Sequence, residues 1–290
     1  MKLGISTWSF QRYNPSPSIY ELLDKIKEIG AEYVDFVPML KKEQCDMTLE
    51  IAKDIREYID KIGLKAACIC MNSEFLGKRG VEGMKEVIIN EQLPIAKVLG
   101  CPVMRFDVTY FGFPKEETDK SYDHVIALTA DAVREIAEEA EKLGIKVCTE
   151  NHGTVSQAAD RILKLIHTVG HKNFGALIDM GNFTGIDADY AKSVSTLAPY
   201  AFHAHAKDVV LRSGMSENPG RGYGKTAGGN YYRPTIIGHG SVPIKQCMKI
   251  LKNAGFEGCL AVEFEGIEDP YLATEISFEN IKRFLEEIEN

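Results

Sequence analysis

The stretch IKVCTENHGTVSQAADRILKLIHTVGHKNFGALIDM, residues 145–180, places a longer polar-apolar segment between two short apolar runs. IKVCTEN (145–151) and FGALIDM (174–180) have the length and composition of strands buried on both faces, and 155–168 is read as the helix that joins them. Two parallel strands need a crossover of this kind, so the stretch predicts a βαβ unit.

The same alternation runs through the rest of the chain. Further strands are expected at 2–8, 33–38, 65–70, 102–108, 201–208 and 258–265, with helices over 17–29, 47–62, 81–98, 121–142, 187–197, 243–254 and 272–288. In 121–142, Val125, Leu128, Ala132, Val133, Ile136 and Ala140 form one apolar stripe among charged residues. Gly63 and Gly144, in IGLK and LGIK, stand where a helix ends and a strand begins. Eight strands, each followed by a helix, predict an α/β chain folded as a single (β/α)8 TIM barrel over residues 1–290. A doubly wound open sheet usually has fewer strands, and TWSFQRY stands where its glycine-rich fingerprint would follow the first strand.

The chain has 290 residues, 44% hydrophobic and 26% charged, enough for a sizeable core, and a net charge of −8 that opposes phosphate-backbone binding. Its seven cysteines are scattered without a CxxC pair, which predicts buried reduced thiols. The start MKLGISTW enters a strand directly, and no apolar run is long enough to span a bilayer, so a cytoplasmic protein is expected. Residues 209–240 form a long insertion after the seventh strand, expected as an active-site loop or lid that offers Arg221, Lys225, Tyr231 and Arg233 to a ligand, or else as a plain solvated loop. GRGYGKT within it lacks the first glycine of a phosphate loop, since Pro219 stands in that place.

Barrel enzymes carry their chemistry at the C-terminal ends of the strands. Those ends are Glu150, Asp179, His205 and Glu263 on four successive strands. Three carboxylates and an imidazole suit a hard divalent ion: manganese or magnesium fits best, with cobalt and zinc as alternatives. Each residue alone has an ordinary role open to it; Asp179 could simply shape the turn at Met180-Gly181-Asn182, and Glu265 competes with Glu263. His205 lies nearer the mouth than His203, which is read as a hydrogen-bonded core histidine or one behind the ligands.

TENHG, LIDMGN, HAHAKD and AVEFEG, in this order, resemble the sugar phosphate isomerase/epimerase group of the xylose isomerase-like barrels, which includes ketose 3-epimerases and inosose isomerases. The resemblance covers nearly the whole chain. It implies one divalent metal ion, manganese for preference, held by Glu150, Asp179, His205 and Glu263. It further implies proton abstraction beside a carbonyl through a metal-stabilised enediolate, with Glu150 and Glu263 as the acid/base pair. The substrate expected is a small sugar or sugar derivative, with no nucleic acid and no membrane involved, and a homo-oligomer is open because relatives are often dimers or tetramers. Trp8, His152, Asn182, Lys207 and Arg233 are the expected substrate-binding residues. Asn182 departs from the histidine that several relatives carry at its place, which weakens the transfer of a ketose specificity.

Three other functions compete with this one. A metal-dependent lyase, such as a dehydratase or a 3-keto-glycoside-cleaving enzyme, begins with the same deprotonation. An abasic-site endonuclease would need a three-zinc cluster, yet no histidine precedes His124. A non-catalytic sugar-binding barrel would not need all four ligand types.

Overall fold

The computed structural model describes residues 1–12, 17–38, 47–109, 112–113, 115 and 117–290. Eight parallel strands close into a barrel: β1 (Lys2–Ser6), β2 (Tyr33–Phe36), β3 (Lys65–Met71), β4 (Val103–Phe106), β5 (Lys146–Glu150), β6 (Phe174–Asp179), β7 (Ala201–Ala206) and, later in the chain, β11 (Cys259–Val262). The order around the barrel is sequential, and β11 pairs with β1 to close it. The β5–helix–β6 unit expected from residues 145–180 is present, with Glu150 opposite Leu177 in the ladder.

Helices cover the outside: α1 (Ile19–Glu28), α2 (Leu49–Ile62), α3 (Gly80–Val87), α4 (Leu93–Leu99), α5 (Tyr122–Lys142), α6 (Ala159–Val169), α7 (Tyr190–Leu197), α8 (Ile244–Asn253) and α9 (Pro270–Glu289). The expected helix over 81–98 is interrupted by a wider π turn at Ile88–Gln92. Pro94 has no N–H to offer the preceding turn, and the wider turn accommodates that gap. Helix α6 starts at Ala159 and not at 155, because residues 153–155 form a turn that bends at 156 before the helix begins. Its inward stripe, Ile162, Leu165, Ile166 and Val169, is buried against the barrel, each large side chain contributing about 1.5–3 kcal/mol. On α5 the expected stripe is buried except for Leu128, which is 44% exposed. At 100° per residue it falls about 60° outside the arc spanned by Val125, Ile136 and Ala140. Gly63 and Gly144 both take positive φ, +72° each, at the helix-to-strand junctions expected of them.

Residues 209–240 are not structureless. β8 (Asp208–Arg212), β9 (Gly224–Lys225) and β10 (Tyr231–Thr235) form an antiparallel sheet in the order β8-β10-β9. Pro234 sits in the middle strand but beyond the two-residue β9, so its missing N–H breaks no ladder bond on that side. The Asp208 carboxylate ties the end of this excursion to the barrel, accepting backbone N–H groups from Val209, Gly238, Gly240 and Val242 at 2.8–3.0 Å. The six described cysteines are free and buried, as expected for reduced thiols; Cys45 lies outside the described residues. Among the described residues no helix is long and apolar enough to cross a membrane.

Candidate metal centre at the barrel mouth

The C-terminal ends of the last four barrel strands converge as the strand reading requires. One donor atom each from Glu150, Asp179, His205 and Glu263 lies within 4.8 Å of all the others, and all four residues are buried. Ligands on opposite sides of a cation with bonds of about 2.0–2.2 Å stand about 4.2 Å apart, so small side-chain movements close the set on one ion. The register explains the convergence: Asp179 lies opposite His205 across β6 and β7, and the Glu263 N–H donates to the carbonyl of Ala206 at 3.0 Å.

Each ligand candidate is aimed by a neighbour. Asp179 divides its oxygens between the two roles weighed for it. Oδ1 accepts from the N–H groups of Gly181 and Asn182 at 2.8 and 3.0 Å and shapes the turn, while Oδ2 faces the cluster with the Lys207 ammonium 2.8 Å away. Asn151 clamps the end of β5 to β6, bonding both the N–H and the carbonyl of Asp179. Gly181 allows β7 to come close, since a Cβ there would stand 2.7 Å from the Lys207 carbonyl oxygen.

His205 is oriented by a residue that sequence reasoning missed. Its Nε2 lies 2.9 Å from Oδ2 of Asp35, a fully buried carboxylate on β2. That pairing leaves Nδ1 facing Glu263 Oε1 at 3.4 Å and Glu150 Oε1 at 3.8 Å, with no hydrogen-bond partner. A carboxylate behind an imidazole is the usual way of fixing which ring nitrogen meets a metal. The signal in the sequence was an ionisable residue in the middle of the buried strand YVDF.

Two buried cations share the carboxylates. Lys207 Nζ lies 2.6 Å from Glu263 Oε2 and 2.8 Å from Asp179 Oδ2, and it donates to Asn182 Oδ1 at 3.2 Å. It pairs with these carboxylates and not with Asp208. Arg105 Nη2 lies 2.5 Å from Glu150 Oε2, 2.9 Å from Asp107 Oδ2 and 2.7 Å from His152 Nδ1. Burial alone would raise the Glu150 carboxyl, but Arg105, His152 and His205 hold it well below the usual range. Glu263 is lowered against the same burial by His205 and Lys207. At Asp179 burial outweighs Lys207 and pushes the carboxyl up to about 7. Of the three, Asp179 is the carboxylate whose charge the protein's own cations secure least.

Other expected residues fall in different places. The mouth opens into a cavity of about 640 Å³ lined by Trp8, Arg105, Asp107, Glu150, His152, His205, Lys207, Glu263 and Glu265, and by Lys78, Arg79 and Glu91 on the β3 side. Trp8, in the short helix after β1, donates from Nε1 to Glu265 Oε1 at 2.7 Å. Glu265 is thereby turned toward Trp8 and is not in the four-donor group, whereas Glu263 is. Asn182 donates to Glu150 Oε1 at 3.0 Å behind the cavity wall. Arg233 does not line the cavity; it sits on β10 beside Glu268 at 3.5 Å and under the Tyr223 ring. His203 is fully buried below His205, but neither ring nitrogen has a hydrogen-bond partner, contrary to the hydrogen-bonded role expected of it. Burial lowers its pKa to about 4, so the ring is neutral.

A family model described as xylose isomerase-like TIM barrel matches residues 23–287. The chain belongs to this family. Within curated proteins, 185 residues are 24% identical to the uncharacterized protein MJ1311 of Methanocaldococcus jannaschii, covering 62% of this chain and 56% of that one. Another 200-residue match is 27% identical to an inosose dehydratase of Klebsiella pneumoniae, covering 63% and 62%. The chain therefore spans less than two thirds of the length of either relative. Among solved structures, the IOLI protein with a bound zinc atom superposes with a TM-score of 0.74 at 18% identity, over 99% of this chain and 98% of that one. An L-ribulose 3-epimerase gives 0.74 at 15% identity over 100% and 96%. A xylose isomerase-like barrel of Mycobacterium smegmatis in complex with magnesium gives 0.71 at 16% identity over 99% and 96%. At these identities the structural likeness shows the shared barrel.

Lys207 and a divalent ion compete for the same oxygens of Asp179 and Glu263. Lys207→Met therefore binds manganese at least about tenfold more tightly in a calorimetric titration, equivalent to about 1.4 kcal/mol. The metal-free variant also loses stability, because Asp179 and Glu263 are left buried with less compensation.

Proposed function

We propose that this protein is a divalent-metal-dependent sugar isomerase or epimerase, working by proton transfer at a carbon beside a carbonyl. The observation that carries the reading is the four-donor group Glu150, Asp179, His205 and Glu263, three of which line an open cavity, with His205 Nδ1 facing the group and without a hydrogen-bond partner. The donor set fits a hard or borderline divalent ion; manganese is the proposed one, and relatives in this fold carry zinc or magnesium. When bound, the ion supplies Lewis acidity for a carbonyl and its neighbouring hydroxyl.

The remaining work falls to the chain's own residues. Glu150 and Glu263 close the cluster from β5 and from the residue after β11, and both are held ionised, so either can accept the proton; the proton returned on the other face comes from the second carboxyl once it has taken one from solvent. Arg105 fixes Glu150, and Lys207 steadies negative charge as it develops on the substrate oxygen. Trp8 and His152 supply cavity surfaces for hydroxyl and ring contacts.

Proton nuclear magnetic resonance of keto-sugars in heavy water with manganese tests the proposal. Incorporation of one deuterium beside the carbonyl, with the hydroxyl count preserved and exchange abolished by a chelator, is the expected outcome. Loss of water instead would assign the site to a dehydratase, the activity named for the Klebsiella relative. Exchange that is indifferent to chelation would refute the metal-dependent reading.

A further inference from the structure

Beneath the mouth, a second group of donors is left unused by the proposed reaction. The alternation of KAACICM on β3 brings Cys68 and Cys70 to the same face of the strand. Asp35 lies opposite Cys68 in the β2–β3 ladder, and His203 comes from β7 on the far side of the barrel. One donor atom each from Asp35, Cys68 and His203 lies within 4.8 Å of the others, and all three residues are 0% exposed.

Asp35 has an oxygen for each level. Oδ2 holds Nε2 of His205 at 2.9 Å, whereas Oδ1 lies 3.6 Å from Cys70 Sγ and 3.9 Å from Nε2 of His203. Both ring nitrogens of His203 lack a hydrogen-bond partner. A neutral imidazole carries one N–H and one lone pair, and burying both unmade is a cost that native interiors rarely carry. A tightly packed apolar core would place Val or Ile at Cys68 and Leu or Phe at His203, as barrel interiors commonly do.

We infer that Asp35, Cys68 and His203 form a second, buried site for a thiophilic divalent cation, zinc or a chemically similar ion, separate from the ion at the mouth. The donor set is borderline to soft, one thiolate, one imidazole and one carboxylate, and suits zinc where the mouth suits a harder ion. Thiolate and carboxylate together balance the cation, so the filled site buries no net charge. Binding deprotonates Cys68 and gives His203 the partner it lacks. Cys70 borders the cavity and also groups with Asp35 and His205, which places a sulfur between the two levels. The site ties β2, β3 and β7 together across the barrel and holds Asp35, and through it His205.

Growth of the producing cells in cobalt-supplemented, zinc-depleted medium tests this, because the site then fills during folding. The expected product carries two cobalt ions per chain and an intense near-ultraviolet thiolate-to-cobalt charge-transfer band. The oxygen and nitrogen ligands at the mouth cannot produce that band. Cys68→Ser and His203→Ala each reduce the content to one ion and remove the band. Cys148→Ser, whose thiol points to the Met104 carbonyl, retains both ions. Glu150→Gln empties the mouth yet keeps the band, so failure of the mouth reading is seen separately. The wild-type chain alone decides if variants fail to fold. X-ray absorption showing only oxygen and nitrogen neighbours, with no charge-transfer band, overturns the inference, as does a band that survives Cys68→Ser.

Discussion

His205→Ala abolishes retention of a divalent ion at the mouth and lowers proton exchange by at least about 10³-fold. The expectation follows from what the imidazole does. It supplies the single nitrogen donor in a set otherwise made of carboxylates, and its Nδ1 makes no hydrogen bond while facing Glu263 and Glu150. Without it, the carboxyl groups of Glu150, Asp179 and Glu263 crowd around a vacated volume, with Arg105 beside Glu150 and Lys207 between Asp179 and Glu263 as the compensating charges. The ammonium then collapses further onto those oxygens and competes with any ion that enters. Equilibrium dialysis with manganese, paired with the exchange assay, reads both effects. A variant that keeps one tightly bound ion and full exchange at the mouth would remove His205 from the site. His203→Ala leaves the mouth ion in place, since none of its donor atoms belongs to that group.

Arg105→Met destabilises the protein by about 3–5 kcal/mol in urea unfolding, the cost of leaving a buried ion pair half-made. Arg105 is 6% exposed and its Nη2 serves Glu150, Asp107 and His152 at once. Methionine fills much of the same volume but leaves Glu150 and Asp107 with His152 as the cation between them in place of the guanidinium. The loss of Arg105 raises the Glu150 carboxyl and so weakens the ionisation on which its proposed role as a base depends. Activity therefore falls more than the folded fraction does. Arg105→Lys retains the charge but not the planar guanidinium that places Nη2 among its three partners, and is expected to recover part of the stability. Equal stability of Arg105→Met and the wild type would show that the network is inessential to the barrel.

The barrel was legible because its strand–helix alternation repeats eight times, and each element carries its own period. The four ligand candidates were legible for a related reason: a barrel tells which end of each strand is chemical, so Glu150, Asp179, His205 and Glu263 could be picked from among many acids. Interior partners were harder. Asp35 acts across the barrel on His205, far away in sequence, and Arg105 reaches Glu150 on the neighbouring strand β5; a linear pattern shows neither contact. Asp35 carried a signal nonetheless, as a carboxylate flanked by apolar residues in a buried strand. The sheet at 208–235 was hidden by its glycines, serines and prolines, which mark turns; the short runs DVVLR and YYRPT between them are strand-like only once they are seen to pair. Arg233 was placed at the ligand by its position in that insertion, and the sheet instead directs it to Glu268.

An anomalous-difference map from crystals grown with manganese locates the ion at the mouth. A single strong mouth peak is expected about 2.0–2.3 Å from oxygens of Glu150, Asp179 and Glu263 and from Nδ1 of His205. A mouth without such a peak, or with the ion seated instead on Asp107 and His152, would contradict that expectation.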